Sequence, residues 1–197
     1  MPFPDEVAPV ILIQDFERWR TDDAQLSQTL ASLNFGGNRV IDHVGSTSVP
    51  GLVAKDVIDV QIRVPKLHSE RIKEDFASIG FRHRPESWNN LESSRTGPEP
   101  KLVFAPPDGS RPSNVHVRTA DSTGARDTLL FRDYLRANET VRNDWCEFKK
   151  SIVGGAVEID LASYGQIKLP RWFVLMSDAD AWAIRVDWTT PNRRLSV

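Results

Sequence analysis

The segment that most constrains this fold is residues 57–64. Its residues alternate without a break: Ile58, Val60, Ile62 and Val64 point one way, and Asp59, Gln61 and Arg63 point the other. Such a strand buries its aliphatic side and presents a row of polar groups on the opposite face. A second strand-like run, 40–44, precedes it. A loop that opens Gly45-Ser46-Thr47-Ser48-Val49-Pro50-Gly51 joins the two.

The loop has the chemistry of an anion site. Gly45 lets the backbone approach a ligand or adopt a positive φ. Successive N–H groups in a tight turn form an anion-binding nest, and the hydroxyls of Ser46, Thr47 and Ser48 add donors. Lys55 adds a cation. Asp59 supplies the oxygen ligand that a hard divalent metal requires. Asp42, on the preceding strand, reinforces it only if it turns toward Asp59. The same residues also make an ordinary Gly/Ser/Pro turn between two strands, with Asp59 on a wet face.

Upstream, residues 15–33 repeat Phe16, Trp19, Leu26, Leu30 and Leu33 at helical spacing. Asp15 and Glu17 suit the start of that helix, and Gly36-Gly37 suits its end. Residues 10–13 read as a short strand, and residues 1–9, with three prolines, as extended chain. After Pro65 a second helix is expected, from an N-cap at Ser69 through Ile72, Phe76 and Ile79 to Gly80 at C′. A strand over 81–84 follows. Residues 85–100 show no period and several turn residues, the pattern of a lid, a binding loop or disorder. A strand over 101–105 and a turn at Pro106-Pro107-Asp108-Gly109 come next.

Residues 113–118 alternate again, with Val115 and Val117 on one face and Asn114, His116 and Arg118 on the other. If this strand shares a sheet with 57–64, the two polar rows merge into one surface beside the Gly45-Ser46 turn. His116 is then a candidate metal ligand, phosphate contact or acid–base group. The competing reading is an ordinary surface histidine.

The remainder reads as helical. Over 127–137, Leu130, Phe131, Tyr134 and Leu135 form an apolar face, and Arg132 is placed to reach a phosphate or clamp a carboxylate. A break near Asn138 leads to a helix marked by Val141, Trp145, Phe148 and Ile152. Cys146 beside that stripe reads as a core thiol. Gly154-Gly155 ends the helix. Pro170 is expected as the first residue of a further helix reaching about Ala183. Residues 185–197 read as a flexible tail, although Trp182 and Trp188 argue for packing.

Residues 45–59, Gly-Ser-Thr-Ser-Val-Pro-Gly-Leu-Val-Ala-Lys-Asp-Val-Ile-Asp, resemble the signature of the GrpB-like family, a branch of the nucleotidyltransferase superfamily. Four further places are similar to it: Phe-Arg-Asp-Tyr-Leu-Arg at 131–136, an aromatic-x-x-hydrophobic-Lys pattern within 145–150, the pair Tyr164 and Lys168, and Asn114-Val115-His116-Val117, where the family reads His-Leu-His-Val. The resemblance implies an α/β (α+β) fold in one domain over 1–197. A mixed sheet flanked by helices would form the core at about 10–120, with a helical part at about 124–184. It also implies that Gly45 and Ser46 hold the terminal phosphates of a nucleotide, that Lys168 approaches a phosphate, and that Asp59 is the first carboxylate of an Asp-x-Asp/Glu metal pair. The second position is Gln61, a neutral amide and a poorer Mg²⁺ ligand. Members also occur fused to dephospho-coenzyme A kinase. This chain has no Gly-x-x-x-x-Gly-Lys-Ser/Thr loop, so kinase activity of that P-loop type is not expected.

Composition narrows the function classes. The 197 residues, 40% hydrophobic and 26% charged, suffice for a single core. A net charge of −2 and a pI near 6.1 offer no global basic field for nucleic acid. No apolar run approaches the ~20 residues of a membrane span, and the first residues lack the pattern of a signal peptide. One cysteine excludes an internal disulfide and a Cys-rich zinc site. A cytoplasmic protein is expected. Nucleic-acid modification, for which only the local patches Arg82-His83-Arg84 and Arg193-Arg194 speak, is disfavoured by the acidic balance, and two functions lead. The first is a transferase that binds ATP or another nucleoside triphosphate with Mg²⁺ (or Mn²⁺) and passes a nucleotidyl or phosphoryl group to a small acceptor. Asp59, Gln61, Asp42 and His116 would surround the metal, and Arg63 and Arg118 would stabilise charge. The second is a phosphate-binding accessory module that acts through a protein or metabolite partner, and Gln61 favours it.

Overall fold

The alternation at 57–64 becomes the second strand of a mixed five-stranded sheet. The computed structural model describes residues 9–34, 38–154 and 159–192. Its sheet is built from β1 (Val40–Val44), β2 (Ile58–Val64), β3 (Arg82–His83), β6 (Leu102–Ala105) and β7 (Ser113–Thr119) in the order β1-β2-β7-β6-β3. Strands β2 and β7 run parallel, and the other neighbours are antiparallel. The register aligns Asp59 with Asn114, Gln61 with His116 and Arg63 with Arg118. The two polar rows therefore share one face, and Asp42 joins it opposite Gln61.

The other face is dry. Ile58, Val60, Ile62, Val115 and Val117 are fully buried there. They pack under Trp19 and Leu30 of α1 (Phe16–Ala31) and Ile72 and Phe76 of α2 (Ser69–Ser78). The Phe76 ring stacks on Phe104 at 3.8 Å between centroids. The polar face is covered at one end by α4 (Thr123–Ala137), which is backed by α5 (Glu139–Val153) and α6 (Leu161–Arg185). Leu130 and Tyr134 of α4 meet Met176, Ala179 and Ala183 of α6, while Leu135 meets Trp145 and Cys146 of α5. Cys146 is a buried thiol, as expected.

Several expectations need correction. Of residues 10–13, only Ile13 pairs, in a single bridge with Ala54. Ser69 is the first helical residue of α2 rather than its cap, and His68 in the cap position makes no side-chain cap bond. Gly80 does take the positive φ of a C′ residue. Residues 85–100 are not a structureless loop: they hold a short helix, α3 (Ser87–Asn90), and a hairpin of β4 (Leu91–Ser94) and β5 (Gly97–Pro100). That hairpin is fixed by charge, which apolar periodicity does not register. Glu99 accepts from the first amides of α4, Thr123 and Gly124, at 2.9 and 2.8 Å, satisfying donors every helix start leaves open. Arg95 grips Asp127 through Nε and Nη2 and reaches Asp180 through Nη1.

Pro170 does not begin a helix but lies inside α6. The start is set earlier, by the Asp160 carboxylate accepting from Ser163 N at 2.7 Å. The start of the expected tail is packed, with the Trp188 indole donating to Asp133 at 3.1 Å. Residues 1–8, Gly36-Gly37, Gly155 and Arg193-Arg194 lie outside the described residues.

Candidate functional site

The turn after β1 is held in a conformation that only glycine populates readily. Gly45 has φ 68° and ψ −170°, and a Cβ at this position would lie 2.6 Å from Asp59 Oδ2. The glycine thus serves the backbone and lets the carboxylate of β2 rest against it. A single 3-10 turn follows over Ser46–Ser48. Ser48 Oγ donates to Gly45 O at 2.7 Å, and Ser48 O accepts two bonds from Arg136 at 3.0 and 2.6 Å. Thr47 shares a 3.0 Å hydrogen bond with His43 Nε2. Ser46 Oγ accepts from Lys149 Nζ at 3.0 Å.

This turn forms one wall of a cavity of about 250 Å³ closed by α4, α5 and α6. Gly45, Ser46, Thr47, Lys55, Asp59, Arg132 and Lys168 all line it, as do the aromatic side chains Phe131, Trp145 and Trp172. Ser48 does not line it: that side chain is buried and spent on holding the turn. Lys168 enters from α6 with its amino group 5.4 Å over the Tyr164 ring. Burial, and then Lys55, pull its pKa below the ordinary value against the opposing pull of Asp59. Arg132 is partly committed, donating to His43 O at 3.0 Å and to Asp133 at 2.7 Å.

Asp59 is the carboxylate of this cavity. Burial raises its pKa, but His116, Lys55 and the amide of Asn114 outweigh that and hold it below the ordinary value. Asn114 Nδ2 donates to Asp59 Oδ1 at 3.3 Å, and His116 Nε2 lies 3.9 Å away. Burial, joined by Arg118 and Lys101, pushes the His116 pKa down to about 4 despite Asp59. At neutral pH the ring is therefore uncharged and can serve as a hydrogen-bonding group or proton acceptor.

Four predicted site residues are placed elsewhere. Gln61 is fully buried, accepting from Arg118 Nη1 at 3.0 Å and donating to Ala125 O at 3.2 Å. Asp42 is held by Arg63 through bonds of 2.8 and 3.2 Å, and Arg63 also donates to Pro191 O. Arg118 is clasped by Glu92 of the hairpin at 2.6 and 2.7 Å. All four share the sheet face of Asp59, but α4, residues past α6 and the hairpin cover that end. The expected Asp42–Gln61–Asp59 metal set is therefore not assembled. Among the described residues no group of three His, Cys, Asp or Glu is placed to hold a metal ion. The donor set does not fit a two-metal centre. Asp59 alone fits one Mg²⁺ or Mn²⁺ brought in by a polyphosphate, because such ions take one or two carboxylates plus substrate oxygens.

The sequence pattern of the family described as GrpB protein matches residues 9–173. The chain belongs to this GrpB family. It is also similar to a solved structure, the conserved protein GrpB from Enterococcus faecalis, with a TM-score of 0.70 and 22% identity over 91% of this chain and 100% of that one. Among curated proteins it is 31% identical to a protein named dephospho-CoA kinase from Mycolicibacterium paratuberculosis, over 92% of this chain and 47% of that protein. It is 30% identical to UPF0157 protein BH1888 from Halalkalibacterium halodurans, over 74% of this chain and 70% of that protein. The chain thus spans about half the length of the dephospho-CoA kinase it matches.

Within this GrpB-family site, one residue was not singled out by sequence reasoning. Lys149, 1% exposed on α5, donates to Ser46 Oγ and to Val53 O. The signal was present, since Trp145 and Phe148 place Lys149 in the aromatic-x-x-hydrophobic-Lys pattern. A lysine among core positions of an amphipathic helix is itself the anomaly. Among the described residues, no helix is long and apolar enough to cross a membrane.

Proposed function

We propose that the cavity between the Gly45–Ser46 turn and the C-terminal helices binds the phosphates of a nucleoside triphosphate, and that the chain transfers a nucleotidyl or phosphoryl group to a small acceptor. The observation that carries this reading is the charge of the cavity. Among the described residues, Lys55, Arg132 and Lys168 meet the turn around a single carboxylate, and Lys149 stands directly behind Ser46. Such a lining attracts a polyanion. At about 250 Å³ the cavity suits a polyphosphate better than a whole nucleotide, since pockets for drug-sized ligands start near ~300 Å³. The base would then lie toward the mouth.

In this reading Lys168 and Arg132 neutralise the phosphates and hold the reacting phosphorus in place. Ser46 and the turn amides donate to phosphate oxygens. Asp59 would be the residue to hold an Mg²⁺ or Mn²⁺ accompanying the polyphosphate, an ion that would withdraw charge from phosphate oxygens. His116, neutral and beside Asp59 but outside the cavity lining, supports that carboxylate rather than touching the phosphates. Calorimetric titration of ATP, with and without Mg²⁺, tests this. Binding should weaken about tenfold or more in Lys168→Met, while Asp59→Asn should lose only the Mg²⁺-dependent part. Silence toward ATP, GTP and CTP under both conditions would sink the proposal.

The buried Gln61 favours a second reading, a phosphate-binding accessory module acting through a protein or metabolite partner. One carboxylate is a thin donor set for metal-assisted transfer. Turnover abolished by Asp59→Asn would remove this reading. Gln61→Asp should not rescue a weak catalyst. The new carboxylate would face Arg118 and leave Ala125 O without its donor, costing about 1–3 kcal/mol of stability.

A further inference from the structure

Lys149 is a cation in a place where cations are rarely left. Its amino group is buried on α5, bonded to Ser46 Oγ at 3.0 Å and to Val53 O, and no carboxylate among the described residues pairs with it. A purely structural position of this kind would be better served by an apolar side chain of similar volume. Its geometry has a directional consequence. A charged lysine has three donors and no acceptor, so at Ser46 Oγ it must donate. The Ser46 proton is then free of that contact, and Ser46 lines the anion cavity.

We propose that Lys149 is a positioning residue: it forces the Ser46 hydroxyl to donate into the cavity, and so sets how tightly the cavity holds a phosphate group. The inference rests on the reading of that cavity as a phosphate site. A neutral Lys149 would reverse the contact. Its nitrogen would accept from Ser46, and the hydroxyl would turn lone pairs toward the anion. The titratable and charged groups around it are Lys168 from α6, Cys146 from its own helix and, past Ser46, Asp59, Lys55, Arg132 and Tyr164 at the cavity wall. Burial first, then Lys168, push the Lys149 pKa down to about 7 against a smaller pull from Cys146. The reversal therefore falls near neutral pH.

The test has two readouts. The first is ATP affinity by calorimetry from pH 6 to 8.5, in wild type, Lys149→Met, Ser46→Ala and the double variant. Comparing profiles cancels the titration of ATP itself. Wild-type affinity should fall with rising pH by about tenfold more than in Ser46→Ala, the span expected of one charge-assisted hydrogen bond. The double variant should match Lys149→Met, because both changes remove one coupled contact. Additive losses, or a Ser46→Ala profile as steep as wild type, would overturn the proposal, since Lys149 would then act as a charge alone.

The second readout needs no ligand and guards against misfolding of Lys149→Met. The Lys149 ¹³Cε resonance is followed through its titration in the unliganded protein. Ser46→Ala should lower the midpoint by removing an acceptor from the charged form, and an unmoved midpoint would overturn the coupling. If wild type ignores ATP but the midpoint moves, the phosphate reading fails and the Lys149–Ser46 contact stands.

Discussion

The two ends of one sheet face look alike in sequence and differ in kind. Asp59, Gln61 and Arg63 alternate on β2, and Asn114, His116 and Arg118 alternate beside them on β7. At the Arg63 end the polar groups are matched: Arg63 with Asp42, Arg118 with Glu92, and the neutral Gln61 between Arg118 and the Ala125 carbonyl. At the Asp59 end the lining carries more cation than carboxylate and opens into a cavity. Buried polar groups are tolerable when fully satisfied and costly when not. The sealed end is thus a structural network, and the open end is where a ligand would meet Lys168 and Asp59 at the cavity wall.

The largest effect should come from opening the sealed end. Arg63→Leu would leave the Asp42 carboxylate, 6% exposed, without its partner. A loss of about 3–5 kcal/mol is expected in urea unfolding. Adding Asp42→Leu should recover most of it, because removing both charges removes the penalty. A single variant as stable as wild type would mean that this end is not sealed.

Acid should act on the same end. Burial raises the Glu92 pKa, but the Arg118 bonds and charge, with Lys101 and His116, prevail and bring it down to about 2. The folded pKa lies below the unfolded value, so the stabilisation is complete above pH ~4.5 and is lost as pH falls toward ~2. The amount is roughly 3 kcal/mol for a carboxylate this buried. Unfolding of wild type and Glu92→Gln between pH 2 and 6 should converge at the acid end. Parallel curves would refute the pairing as a source of stability.

At the boundary between the ends, Gly45→Ala imposes a side chain on a glycine-only conformation and drives a Cβ to 2.6 Å from Asp59 Oδ2. Backbone strain alone costs roughly 1–3 kcal/mol, and the displaced carboxylate should also remove Mg²⁺-dependent ATP binding. Retained ATP binding would separate the turn from the site.

Much of this was legible in the chain. Period-two alternation assigned β2 and β7 and a polar face to each, while their pairing in one sheet is set by the fold. The turn residues placed Gly45 and Ser46, and helical spacing found the apolar stripes of α1, α4 and α5. What alternation cannot encode is which element covers a face. Arg63 and Arg118 read as available charges because their partners, Asp42 and Glu92, lie 21 and 26 residues away in sequence. The hairpin of β4 and β5 was missed for a related reason. Its anchors are Glu92, Arg95 and Glu99, which carry no apolar period, and their contacts exist only after α4 is in place. Lys149 escaped because a lysine in an amphipathic helix is ordinarily solvated, and its burial follows from where the Gly45–Ser46 turn packs.

The smallest effect on stability should come from Lys168→Met, and it sharpens the comparison most. Lys168 reaches the cavity with its amino group over the Tyr164 ring and no ion pair among the described residues, and its pKa is already depressed by burial and by Lys55. Removing that charge relieves repulsion among Lys55, Lys149 and Lys168, so unfolding should shift by no more than about 0.5 kcal/mol, the range of substitutions outside packed or paired sites. ATP affinity should fall about tenfold or more, the weight of one hydrogen bond to a charged group. A side chain whose loss leaves the fold intact but weakens a ligand belongs to the open end. A loss of 2 kcal/mol or more, the scale of a broken buried network, would instead place Lys168 with Arg63 and Arg118, as part of the structure it was thought to leave open.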